Sequence, residues 1–216
     1  MLKLSLGNST TPLRVLCLGA HSDDIEIGCG GTLLRLLAEY SKVEVHWIVF
    51  SAKGARRREA LNSAGLFLKQ AKAKHVVVRS YRDGFFPYQG ARIKGEFEQL
   101  KSTTPDLIFT HYRRDLHQDH RLINELTWNT FRNHLVLEYE IPKYDGDLGS
   151  PNVFFPLEES TCQQKAEYLD QAFLTQRKKH WFSDGTFLAL MRLRGVEACS
   201  PTRFAEAFYG RKVRLA

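Results

Sequence analysis

Apolar positions along this chain repeat with two periods that alternate from segment to segment. Leu13 to Leu18 is a short, almost unbroken apolar run, the pattern of a parallel strand buried on both faces. Leu33, Leu34, Leu36 and Leu37 then recur at helical spacing within Thr32–Tyr40. Val43 to Phe50, rich in β-branched and aromatic residues, reads as a second strand, which completes a βαβ unit. Between the first strand and the helix lie Gly28, Gly30 and Gly31, which predict a tight turn with close backbone approach.

The same reading continues downstream. Ala60, Leu61, Ala64, Phe67 and Leu68 predict a helix over Ala55–Lys69, and Val76–Val78 a third strand. Arg82–Gly90, with Gly, Pro and three aromatics, reads as a loop able to form a pocket wall. A helix follows over Ile93–Lys101, a fourth strand over Asp106–Thr110, a polar connection over His111–His117, and a helix over Asp119–Asn133. Leu135–Glu140 is a further strand and Pro142–Asp147 a loop, within a stretch, 144–159, expected to line or cover a pocket. Ser160–Thr175 and Phe187–Leu193 read as helices. The alternation implies an α/β fold: a single-domain, Rossmann-like three-layer sandwich with a mostly parallel central sheet. No repeat, low-complexity tract or linker divides the chain, so residues 1–216 are expected to form one domain.

Composition narrows the class. With 43% hydrophobic and 25% charged residues, extensive disorder is excluded, and no apolar run is long enough for a membrane-spanning helix. Met1 to Thr11 carries one lysine and no long apolar stretch, so it does not read as a signal peptide, and a cytoplasmic location is expected. Cys17, Cys29, Cys162 and Cys199 form no CxxC pair and read as free buried thiols. The net charge of +7 is spread along the chain, clustering only at Arg56-Arg57-Arg58 and Arg177-Lys178-Lys179, which describes a solvated basic surface and no nucleic-acid module.

Chemistry concentrates at two strand ends. Ala20-His21-Ser22-Asp23-Asp24 follows the first strand, and His111-Tyr112-Arg113-Arg114-Asp115-Leu116-His117-Gln118-Asp119-His120 follows the fourth. A parallel sheet brings both to one rim, where imidazoles and carboxylates together point to a metal site. His21, Asp24 and one of His117 or His120 supply the three protein ligands usual for a catalytic Zn²⁺, and Asp23 is then free to accept a proton. His117 and His120, three apart, share a helical face, so spacing does not choose between them. His111 and Asp115 read as loop hydrogen-bonding residues.

These motifs resemble those of the PIG-L, or LmbE-like, family of zinc-dependent N-deacetylases, whose AHPDDE and HxDH patterns appear here as Ala20-His21-Ser22-Asp23-Asp24 and His117-Gln118-Asp119-His120. Gly30-Gly31-Thr32-Leu33, Arg56 with Glu59-Ala60, and Ala205-Glu206-Ala207-Phe208 extend the resemblance over most of the chain. Ser22 stands in place of the usual proline and Ile25 where an acid is frequent, with Glu26 one position later. The resemblance implies His21, Asp24 and His120 as Zn²⁺ ligands, Asp23 as general base, and His117 as oxyanion or leaving-group partner oriented by Asp119. It further implies Arg56 and Asp83 as substrate contacts, with Phe85, Phe86 and Tyr88 available to stack on a sugar ring. The function so implied is removal of an N-acetyl group from an amino sugar or its conjugate by metal-activated water. The competing readings are an amidase acting on another N-acyl substrate and a non-catalytic metal- or carbohydrate-binding module.

Overall fold

The computed structural model describes Leu6 and residues 11–214; the remaining residues, including most of the stretch read as lacking a signal peptide, lie outside the described residues. Strands β1 (Leu13–His21), β2 (Val43–Ser51), β3 (Ala73–Val78), β4 (Leu107–His111) and β5 (Leu135–Tyr139) pair in parallel in the order β3-β2-β1-β4-β5. The chain winds outward from β1 to β3 and then returns to the other side of β1 to add β4 and β5. The β1–β4 junction is therefore a topological switch point, where an open sheet leaves a crevice at the carboxyl ends of its strands. His21 closes β1 and His111 closes β4, so both histidine clusters arrive at that crevice.

The helices are α1 (Asp24–Glu39), α2 (Gly54–Phe67), α3 (Gly90–Leu100), α4 (Gln118–Thr130), α5 (Glu159–Ala172) and α6 (Asp184–Glu197). Alternation along β1 divides the core between two faces: Val15 and Cys17 pack with Ile25, Leu33 and Phe67, while Leu16, Leu18 and Ala20 pack with Ile93, Phe97 and Ile123. Thus α1, α2, α5 and α6 cover one face, and α3 and α4 the other. Among the described residues, no helix is long and apolar enough to cross a membrane. Cys17, Cys29 and Cys162 are buried free thiols as expected, whereas Cys199 is exposed.

Two expectations change. Gly28, Gly30 and Gly31 do not form a turn; the turn is confined to Ser22 and Asp23, and the glycines lie inside α1. They are required by proximity, because a Cβ at Gly28 would lie 2.2 Å from the Tyr139 ring and one at Gly31 would lie 2.7 Å from Leu157. The stretch expected to cover a pocket instead contains strand β6 (Val153–Leu157), and the segment after α6 forms β7 (Phe204–Gly210). β7 pairs antiparallel with both β5 and β6, so the sheet has seven strands and β6 forms its edge. Pro156 is tolerated on that edge, and it is also what obscures a strand pattern.

β7 is tied to α1 by a buried ion pair. Glu206 accepts hydrogen bonds from the backbone N–H of Gly31 (2.8 Å) and Thr32 (2.7 Å), and its carboxylate meets Lys165 Nζ at 2.7 Å. Lys165 also donates to the Ile27 carbonyl at 2.6 Å. Removing one member of a buried pair leaves an uncompensated charge, at a cost of about 3–5 kcal/mol. Lys165→Met is accordingly expected to lower unfolding stability by that order in urea titration, and an unchanged midpoint would show that the pair does not secure α1.

Candidate active site and metal centre

Asp24 begins α1 three residues after the end of β1, and its carboxylate folds back over the strand end. Its Oδ2 accepts a hydrogen bond from the His21 backbone N–H at 2.6 Å. The same oxygen lies 3.4 Å from His21 Nδ1, 3.6 Å from His120 Nε2 and 3.2 Å from His111 Nε2. His21 Nδ1 and His120 Nε2 are themselves 3.1 Å apart. Donors bound tetrahedrally at about 2.0–2.2 Å from one ion sit roughly 3.3–3.6 Å from each other, so His21, Asp24 and His120 fit a divalent metal. Asp24 with His111 and His120, and His21 with His117 and His120, also gather within 4.8 Å, as do His21, Asp83, His117 and Asp119.

The second cluster is delivered by the start of α4. His117 is its N-cap residue, with Nδ1 accepting from the Asp119 backbone N–H at 3.2 Å, and its ring stands edge-on to His21 at 4.8 Å. The expected carboxylate bridge from Asp119 to His117 is absent. That carboxylate instead accepts from the N–H groups of Gly84 (2.7 Å) and Phe86 (3.0 Å) and lies 3.3 Å from His21 Nε2. Asp119 therefore pins the Arg82–Gly90 loop to the site, and Gly84, at φ +77°, makes the turn that presents two amides to it. The loop in turn brings Asp83 Oδ1 to 3.0 Å from His21 Nε2, with most of the Asp83 side chain in solvent. Phe86 is fully buried in the core and unavailable to a ligand, whereas Phe85 and Tyr88 are exposed.

Asp23 sits beside this cluster with a different set of partners. Its Oδ1 accepts from Arg56 Nη2 at 2.8 Å, while the buried Oδ2 and Arg56 Nη1 make no hydrogen bond. Arg56, Arg57 and Arg58 in the first turn of α2 oppose the helix dipole, and this contact gives one of them a partner. Glu59, one turn further along α2, accepts from Thr175 N–H (2.8 Å) and Oγ1 (2.6 Å) and so holds the segment after α5 against Arg56.

Electrostatics separates the two adjacent acids. Burial raises the pKa of Asp23, Arg56 opposing and Asp24 reinforcing the shift. At Asp24 burial also favours the neutral acid, but His120, His111 and His21 together outweigh it and hold the carboxyl well below its usual range. Burial works against a charged His21, yet Asp24, Asp119 and Asp83 prevail and raise it well above an ordinary histidine. Burial and neighbouring His111 push His120 down to about 4, which leaves it neutral and ready to ligate. Glu26 is fully buried, and burial raises its pKa well above the usual carboxylate range.

Several residues emerge that sequence reasoning placed elsewhere or passed over. Asp115 is no mere loop residue: its Oδ2 lies 2.8 Å from His120 Nδ1, an arrangement that fixes the ring and turns Nε2 toward Asp24. Lys143 Nζ approaches Asp115 at 3.1 Å and also pairs with Asp147, whose Oδ2 accepts from Leu116 N–H at 2.7 Å. His111 is not in a loop either but ends β4, fully buried, with Nε2 accepting from Ala20 N–H at 2.9 Å. Its position at the end of an apolar strand was the available signal; Lys143 offered none.

A cation entering the cluster displaces the proton held on His21. Affinity for a divalent metal is therefore expected to fall by about tenfold per pH unit below the raised His21 pKa. Competition titration across pH measures this slope, and a flat profile would remove His21 from the ligand set.

Residues 16–131, which contain both histidine clusters, match the family described as PIG-L: GlcNAc-PI de-N-acetylase. The fold is similar to that of a conserved protein from Thermus thermophilus (TM-score 0.71, 19% identity, covering 94% of this chain and 97% of that one). It is similar also to the N,N'-diacetylchitobiose deacetylase of Pyrococcus horikoshii (TM-score 0.66, 20% identity, 92% and 83% covered). A third likeness is to the 4-carboxy-2-hydroxymuconate hydratase of Pseudomonas putida (TM-score 0.70, 16% identity, 94% and 98% covered). At such identities the likeness describes the fold alone.

Proposed function

Because the chain belongs to the PIG-L family of GlcNAc-PI de-N-acetylases, we propose that it is a zinc-dependent hydrolase removing the N-acetyl group from an N-acetylated amino sugar or amino-sugar conjugate. One observation carries this reading: two neighbouring carboxyls have been given different surroundings, Asp24 Oδ2 at 3.4 and 3.6 Å from the His21 and His120 nitrogens and Asp23 Oδ1 at 2.8 Å from the Arg56 guanidinium. Such divergence assigns different tasks to like groups.

His21 Nδ1, Asp24 Oδ2 and His120 Nε2 would hold the zinc ion, three protein ligands being usual for a catalytic rather than a structural site. Zinc supplies Lewis acidity and lowers the pKa of water. Asp23 Oδ2, free of partners, accepts the proton of the attacking water, while Arg56 holds the other oxygen and fixes the carboxylate plane. His117, half-buried at the mouth of the cluster, hydrogen-bonds the developing oxyanion or passes a proton to the leaving amine. Asp119 acts through position, holding the 84–86 loop and the outer nitrogen of His21. The exposed Asp83 carboxylate is available to a sugar hydroxyl, the part-exposed Arg56 guanidinium to a substrate oxygen, and Phe85 and Tyr88 to a pyranose face. The free thiols support a reducing compartment, the cytoplasm, as the place of action.

The test is release of acetate and free amine by zinc-loaded protein from a panel of free, nucleotide-linked and lipid-linked N-acetylated sugars. Asp23→Asn is expected to lower kcat by about 10²–10⁴-fold with zinc stoichiometry intact. Full zinc occupancy with no release from any sugar would favour a non-catalytic metal- or carbohydrate-binding module. Release confined to other N-acyl compounds would move the substrate class and leave the chemistry.

A further inference from the structure

Away from the metal cluster, on the side of the sheet shared by α3 and α4, a groove of about 480 Å³ opens beside α4. Arg121, Asn124, Glu125, Trp128 and Asn129 line it at three- and four-residue spacing along one helix face, and Arg113 and Arg211 line it from outside that helix. His117 and His120 face the metal cluster from the start of the same helix, and the groove begins one turn further along it, with no residue of the cluster in its lining.

The wall of the groove is fixed. Arg211 Nη2 meets Glu138 Oε1 at 2.5 Å and donates to Asn124 Oδ1 at 2.8 Å, and the guanidinium lies over the Trp128 ring at 4.5 Å. Glu138 is fully buried and fully used: Trp128 Nε1 donates to Oε1 at 2.7 Å and the Arg113 backbone N–H to Oε2 at 2.9 Å. Lys212 adds a further cation over Trp128 at 5.2 Å. Asn124 Nδ2 donates to the His111 carbonyl at 2.6 Å, which anchors the groove to the end of β4.

Its cations are not matched by acids. Among the described residues, the Arg113 side chain has no hydrogen-bond or ion-pair partner; burial lowers the pKa of Arg211, and the neighbouring Arg113 cation adds to that shift. Arg121 spends Nη1 on the carbonyls of Asp115 (3.1 Å) and Leu116 (2.5 Å) and keeps Nη2 unbound. Glu125 is the one carboxylate lining the groove, and Glu138 beneath is taken by Arg211. Converging guanidinium forks with space between them are the usual recognition device for a phosphate group, and the volume accommodates a phosphate with an attached ring.

We propose that this groove is a second ligand site, separate from the metal cluster, which binds a phosphate ester through Arg113 and Arg121 against the fixed wall of Arg211. The phosphate belongs to a soluble sugar or nucleoside phosphate, or to an anionic phospholipid headgroup, the same chemistry from two sources.

The experiment uses the full, metal-loaded chain. Calorimetry with uridine monophosphate and glucosamine 6-phosphate reads the soluble arm; co-sedimentation with phosphatidylcholine vesicles, with and without phosphatidylinositol, reads the headgroup arm. Arg113→Glu is expected to weaken binding in the active arm by about tenfold or more, since it removes one fork and reverses its charge. Arg121→Gln should weaken it less, and Arg114→Glu, an exposed neighbour outside the groove, should leave it near the wild-type value. Binding in neither arm overturns the proposal. So does equal loss in Arg113→Glu and Arg114→Glu, which would reduce the effect to diffuse surface charge.

Discussion

One buried carboxylate oxygen governs the architecture of the site. Asp24 Oδ2 lies among three imidazole nitrogens and a backbone N–H, almost wholly shielded from water. An ionised carboxyl in such a place is tolerable only if its surroundings return what dehydration removes. That requirement holds β1, α1, β4 and α4 in register, because each contributes a group to the same atom. It also explains the glycines of α1: only a helix with no side chains on that face can press against Tyr139 and Leu157 closely enough to hold its first residue over the strand end.

The fold was legible in the sequence wherever strands and helices alternate with clear periods. β1, β2 and β4 and the helices over 55–69 and 119–133 needed no tertiary information, and the two histidine clusters became one site as soon as a parallel sheet was granted. The unread parts fail for physical reasons. Gly28, Gly30 and Gly31 signal backbone freedom locally, but their use here is tertiary contact. β6 is a short edge strand containing Pro156, and β7 carries a buried Glu206 where an apolar residue would have marked a strand. The family resemblance implied that Asp119 orients His117; its carboxylate also serves a loop more than thirty residues upstream, which no local pattern signals. Lys143 reaches His120 only through Asp115, a relation between two loops that no local pattern encodes.

A hydratase and a deacetylase appear among the proteins with this fold, so the sheet and its helices do not select a reaction. What differs between sites on such a scaffold is a few atoms at the crevice. The oxygen of Asp23 left open by Arg56 and the outer nitrogen of His21 shared between Asp83 and Asp119 are set by side chains from β1, α1, α2, α4 and the 82–90 loop. Each of those elements also carries core residues, so positioning in the site and packing in the interior are the same constraint seen from two ends.

The bond from Glu206 into the backbone of α1 links residues 31 and 206, nearly opposite ends of the chain. During synthesis the ribosome releases residues 1–120 well before β7, and with them every residue of the histidine and aspartate clusters. The helix that carries Asp23 and Asp24 at its start nevertheless waits for β7 before its interior amides and the Ile27 carbonyl find their buried partners. The nascent chain thus holds all of the chemistry of the site before it holds the site, and completion of the last strand sets the moment at which the cluster becomes rigid.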